Sequence, residues 1–186
     1  MEPVFNFDNE MIVRGRDGNL RPYKYFLYED IVVMSAPEFT SSSAMFRFKF
    51  LDASIIDGDQ LEEKTFIVLH DIKLDKDLLL STFYHELGHI KLNHLVEYEA
   101  IGREESIARG EVHYAELEAD KYSFDKMGKV NTIRWLESLI ERTTQNIAAR
   151  EKELEQGTST DSASLEKYKN SLWELEQRVQ VVRSLN

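Results

Sequence analysis

An α+β fold is expected for this chain of 186 residues: a small β-sheet first, then helices ending in an antiparallel hairpin. Three observations lead there. All three prolines, Pro3, Pro22 and Pro37, lie in the first fifth of the chain, and proline interrupts helices. Phe46-Arg47-Phe48-Lys49-Phe50 alternates apolar and cationic residues, the period-two pattern of a half-buried strand. From about residue 131 onward, apolar residues recur at alternating spacings of three and four, which is a helical seam. Hydrophobic residues make up 42% of the chain and charged residues 31%, so there is enough apolar material for a core.

The elements follow in order. Asp17-Gly18 is a hairpin-type turn between Met11-Ile12-Val13 and the β-prone run Tyr23–Tyr28. The Phe46–Phe50 alternation is a further strand, and Thr65–His70 another. Asp75 can cap a helix running to about Val96. A second helix is expected from about Glu111 to Met127, with Gly128 as its stop. A third runs from after Asn131 to Gly157, and a fourth from near Ser162 to the end. Ile133, Leu136, Ile140, Thr143, Ile147, Arg150 and Leu154 form the seam of the third helix. Leu165, Tyr168, Leu172, Leu175, Val179 and Val182 form that of the fourth. The short polar link from Gly157 to Ala163 folds the two back antiparallel. Residues 1–130 are therefore read as one domain and residues 131–186 as a helical hairpin, serving as a clamp, a dimer seam or a partner-binding surface.

Composition excludes several functions. The net charge is −11 and evenly spread, −6 over residues 1–95 and −5 over 96–186. No basic stripe offers phosphate contacts, so direct nucleic-acid binding and an anionic membrane surface are disfavoured. No apolar run reaches the length of a membrane span, and the acidic N-terminus has no apolar core of a signal peptide. The absence of cysteine excludes disulfides, thiolate metal clusters and a cysteine nucleophile. A reducing, cytoplasmic compartment is expected.

The chemistry concentrates in His85-Glu86-Leu87-Gly88-His89. Histidines four apart on a helix stand one turn apart on one face, so both imidazoles can reach one zinc ion at about 2.0–2.1 Å. Zinc lowers the pKa of a bound water toward neutrality, and Glu86 is placed to take its proton. Chance would supply roughly 0.016 such matches in a chain of this composition, so context decides. Leu80, Phe83, Leu87 and Ile90 make a core stripe opposite the histidines, while Leu78, Leu92 and Val96 extend the histidine face. The helix should thus be covered on both sides. Gly88, costing about 1 kcal/mol against alanine in mid-helix, suggests a close approach there.

A catalytic zinc needs three protein ligands and an open position. Leu92 and Leu95 occupy the places where a metzincin would have glycine and histidine, which excludes that class. His94, five after His89, points off the face. The remaining source is Glu116-Leu117-Glu118-Ala119-Asp120. Glu116 can ligate while Asp120, one turn on, accepts a hydrogen bond from a ligand histidine. Ala119 permits close helix packing. Glu118 points about 200° away from Glu116 and ranks second. His113 and Tyr114 are candidates to assist catalysis, His113 by steadying an oxyanion. The Thr65–His70 strand is either a sheet edge that could pair with an extended substrate or an internal strand.

His-Glu-x-x-His followed by Glu-x-x-Ala-Asp on a later helix resembles the gluzincin metallopeptidases. The short strand before the helix and the small size resemble the ImmA/IrrE family in particular, over roughly residues 62–128. The resemblance implies zincin-type active-site helices carrying Zn2+, with His85, His89 and Glu116 as ligands and Glu86 as catalytic base. It implies a protein substrate, in that family a helix-turn-helix repressor, and a setting on phages or mobile elements. Residues 1–61 and the hairpin carry no motif of that family. The rival expectations are a protein-binding module with a structural or vestigial zinc site, and a zinc hydrolase acting on something other than a peptide. The sequence leaves substrate, restraint of activity and oligomeric state open.

Overall fold

The protein is described by a computed structural model covering residues 2–15, 17–38, 42–46, 54–58, 60–97, 103–110, 112–158 and 161–186. The architecture is α+β, with a mixed six-stranded sheet followed by helices, the last two packed as a hairpin. The chain divides into two units, Met1–Glu97 and Tyr98–Asn186.

In the first unit the strands are β1 (Asn9–Arg14), β2 (Leu20–Tyr28), β3 (Ile31–Ser35), β4 (Ser43–Phe46), β5 (Ser54–Asp57) and β6 (Thr65–Leu69). Their order across the sheet is β4-β6-β3-β2-β1-β5. The hairpin of β1 and β2 forms around the expected turn, where Gly18 takes φ 76°, a left-handed conformation natural to glycine. The sequence pattern does not announce β3. Ile31 to Met34 is a continuous apolar run closed by Ser35, buried at every position and parallel to β6, and a strand covered on both faces shows no alternation. β5 likewise has no counterpart among the expected strands. Only Phe46 of the Phe46–Phe50 alternation falls within the described residues, as the last residue of β4; the rest lies outside them. β6 is internal, flanked by β4 and β3, which removes it as an edge for substrate pairing.

At the central strands β3 and β6 both faces of the sheet are buried. On one, Met11, Val13, Tyr25, Val32, Met34, Phe66 and Val68 cluster with Ala36 and Leu61. On the other lies α1 (Lys76–Lys91), whose Phe83 meets Phe5 and Tyr28 edge-on. Asp75 caps α1 as expected, its Oδ1 accepting the amides of Asp77 and Leu78, each at 3.1 Å. Leu79 through His89 are all buried, so α1 is covered in every direction around its axis.

α1 ends at Lys91, short of the expected Val96. Leu92 is its C-cap, and Asn93 turns left-handed at φ 64°, a conformation asparagine tolerates. A short helix α2 (His94–Glu97) follows. Leu92 consequently leaves the histidine face and is 41% exposed.

The second unit begins with α3 (Arg103–Ala108), a helix without a sequence counterpart, and Gly110 at φ 73°. The long helix α4 (Tyr114–Glu155) pairs with α5 (Ser162–Ser184). Links from Lys129 to the Leu185 carbonyl, Arg183 to Glu137 and Lys169 to Glu151 run in opposite sequence directions, so the pair is antiparallel. The seam residues of both helices are buried or half-buried. α4 is broken at Gly128, with φ 78° and ψ 165°, a region essentially reserved for glycine. The stop expected at Gly128 is therefore a one-residue break. Asn131 Nδ2 donates to the Met127 carbonyl at 3.2 Å and Thr132 Oγ1 to that of Gly128 at 3.1 Å, and the helix resumes at once. Among the described residues no helix is long and apolar enough to cross a membrane.

Candidate metal centre

His85, Glu86 and His89 lie on the buried stretch of α1, at 5%, 7% and 4% exposure. At about 100° per residue, all three fall within a 100° arc of the helix. The Nε2 atoms of His85 and His89 are 3.1 Å apart, with the rings nearly perpendicular at 85°. Two nitrogens bound to one tetrahedral zinc at its usual distance are separated by about 3.3–3.4 Å. The pair therefore already has nearly the spacing of one edge of such a tetrahedron.

His94 does not point away. The left-handed Asn93 reverses the chain, and α2 returns the His94 ring to His89, Nδ1 to Nδ1 at 3.1 Å. His94 is 2% exposed. Its expected direction assumes that α1 continues through residue 94; the break at Leu92-Asn93 overturns that. The consequence is chemical. For His89 to give its Nε2 lone pair to an ion, its proton must sit on Nδ1, where His94 Nδ1 is in place to accept it. The helix break is what makes His94 the orienting partner of His89.

The second half of the expected site lies at the start of α4. Glu116 and Asp120 are buried and one turn apart, with Ala119 buried between them, while Glu118 is exposed. His113 is not on the helix face one turn before Glu116, because the helix starts at Tyr114 and His113 is its N-cap, accepting the Glu116 amide at its carbonyl, 3.0 Å. The buried His113 ring stacks on the half-exposed Tyr114 with centroids 5.0 Å apart.

Sequence reasoning missed Arg178, on α5. It is buried, and its Nε and Nη2 donate to Asp120 Oδ2 and Oδ1, both at 2.7 Å. Its Nη1 donates to Glu116 Oε2 at 2.8 Å. Burial works to lower the pKa of Arg178. The charges of Asp120, Glu116 and Glu174 and the Asp120 hydrogen bonds outweigh it, holding the guanidinium above even the ordinary arginine range. Arg178 thus remains charged at any pH at which the protein is folded. The Trp135 ring lies 6.0 Å from the guanidinium carbon, within the range of a cation–π contact. The residues lie 58 and 62 positions apart in sequence, beyond any local spacing rule. The available signal was Glu174 and Arg178 four apart beside the apolar seam of α5.

The break at Gly128 is what lets one arginine serve both parts of α4. In an unbroken helix Asp120 and Trp135 would stand about 22 Å apart along the axis, beyond the reach of one guanidinium. Arg178 touches Asp120 and lies against Trp135, so α4 bends sharply at Gly128.

His85 and His89 in the first unit and Glu116 in the second are each buried, and two imidazoles and a carboxylate are residue types that could hold a metal ion. Their chemistry suits zinc and other first-row divalent ions. No protein-family model, no curated protein and no solved structure matches the chain.

Proposed function

We propose that the chain is a zinc-dependent metallopeptidase of the gluzincin kind, similar to the ImmA/IrrE family, acting on a protein substrate in the cytoplasm. The ligands are His85, His89 and Glu116, and Glu86 is the general base. The observation that carries the reading is the convergence of the His85 and His89 Nε2 atoms at 3.1 Å beside the buried Glu86. A purely structural site has no need of a carboxylate at position 86 and is closed by a fourth ligand.

Zinc held there supplies Lewis-acid polarisation of a carbonyl and acidification of water. Glu86 takes the proton of the attacking water and later delivers it to the leaving amine. His94 keeps the proton of His89 on Nδ1, and Arg178 balances the charge of the buried carboxylates. A helix-turn-helix repressor is the substrate class the resemblance suggests.

The first test is the metal content of protein purified without chelator, beside Glu116→Ala. About one zinc per chain, weakened or lost in the variant, is the expected result. No bound metal after zinc is supplied at neutral pH would sink the proposal. Glu86→Gln then separates a peptidase from a binding module. The variant should keep its fold and its zinc, while cleavage of repressor substrates falls on the order of 10²–10⁴-fold. Parallel assays on small esters and amides test for a hydrolase of another substrate class.

A further inference from the structure

We propose that Arg178 is a positioning residue of the metal centre, which makes the C-terminal helix α5 a working part of it. The proposal rests on Glu116 being the third ligand.

The guanidinium of Arg178 is held as a fork. Nε and Nη2 engage both oxygens of Asp120 side-on, the bidentate pairing that fixes a guanidinium in plane and direction. The rest of the group is then no longer free to turn. Its Nη1 points at Glu116 Oε2. Asp120 aims the arginine, and the arginine aims the glutamate.

The choice of oxygen matters. Arg178 takes Oε2, so a ligand bond made through Oε1 leaves the ion pair intact. Glu116 would bind through one oxygen, its rotation set by Arg178 and not by the ion. Such outer contacts orient a ligand before the metal arrives, and losing one typically costs 10–100-fold in metal affinity. The arrangement also explains how two carboxylates one turn apart persist at 8% and 1% exposure: the guanidinium compensates them whether or not an ion is bound.

The test uses the full chain, stripped of metal and titrated with zinc against a chromophoric chelator, and with Co2+ for its visible spectrum. Arg178→Lys keeps the charge and removes the fork. It should fold, bind zinc on the order of 10–100-fold more weakly and change the Co2+ spectrum. The double variant Arg178→Gln/Asp120→Asn removes both charges together, and it carries the test if Arg178→Lys unfolds. Combining Arg178→Lys with Glu116→Ala should weaken binding no further than Glu116→Ala alone, because the arginine acts through the glutamate. Folded Arg178 variants with wild-type affinity and spectrum would overturn the proposal, as would losses that add to that of Glu116→Ala. If Glu116→Ala itself binds zinc like the wild type, the reading of Glu116 as ligand falls first.

Discussion

His94 shows how one backbone angle decides what a side chain does. Five residues after His89 on a continuous helix, it would stand some 140° around the axis. With Asn93 left-handed it meets His89 ring to ring. His94→Ala removes the ring that, in the proposed site, accepts the His89 Nδ1 proton. Zinc affinity should fall on the order of 10–100-fold, read by chelator competition, with the melting temperature of the metal-free protein changing less than in a core truncation. Equal zinc affinity in wild type and variant would show that His89 orients without it. The residues of the proposed metal site divide in the same way. His85, Glu86 and His89 were legible because their relation is local and helical. His94 was hidden behind a helix end marked only by Asn93, and Arg178 behind a separation of 58 residues that tertiary packing alone closes.

The elements are most legible where their periodicity is uninterrupted. The α5 seam and the Asp75 cap stand as expected. β3 escapes because burial on both faces erases alternation, and α1 is shorter than its apolar spacing suggests because that spacing continues past its last turn. In α4 a single residue carries the element-level feature. A Cβ added at Gly128 would meet nothing within 4 Å, yet φ is 78°, so the obstacle to a side chain is conformation and not space. Gly128→Ala should cost about 1–3 kcal/mol in a urea denaturation series. It should also weaken metal binding, because straightening α4 withdraws Asp120 and Glu116 from Arg178. A variant as stable as wild type, with unchanged metal affinity, would mean that the bend does not depend on glycine.

For the whole molecule, the proposed ion is a ligand of the folded state alone, so it must raise stability by mass action. Free zinc at 100 times its Kd should add about 2.7 kcal/mol, seen as a rise in melting temperature that His89→Ala abolishes. The metal-free protein should still melt cooperatively, since the sheet core and the Arg178 pairs are complete without a metal. A metal-free chain without cooperative unfolding would make the ion a folding requirement and the site structural in character. Composition also limits the whole: an evenly spread −11 charge and no cysteine leave imidazole and carboxylate as the donors for a transition metal.

The distance in sequence between Asp120 and Arg178 also has a meaning in time. At synthesis rates of about 5–20 residues per second, the 58 positions from Asp120 to Arg178 take about 3–12 s to be added. Over that interval the nascent chain holds Glu116 and Asp120 but not Arg178, the guanidinium that pairs with both. The acidic pair can stay hydrated while it waits, and its burial must follow the arrival of the last helix. If the proposed centre is right, its ligands are made first, and the arginine that would position Glu116 follows them.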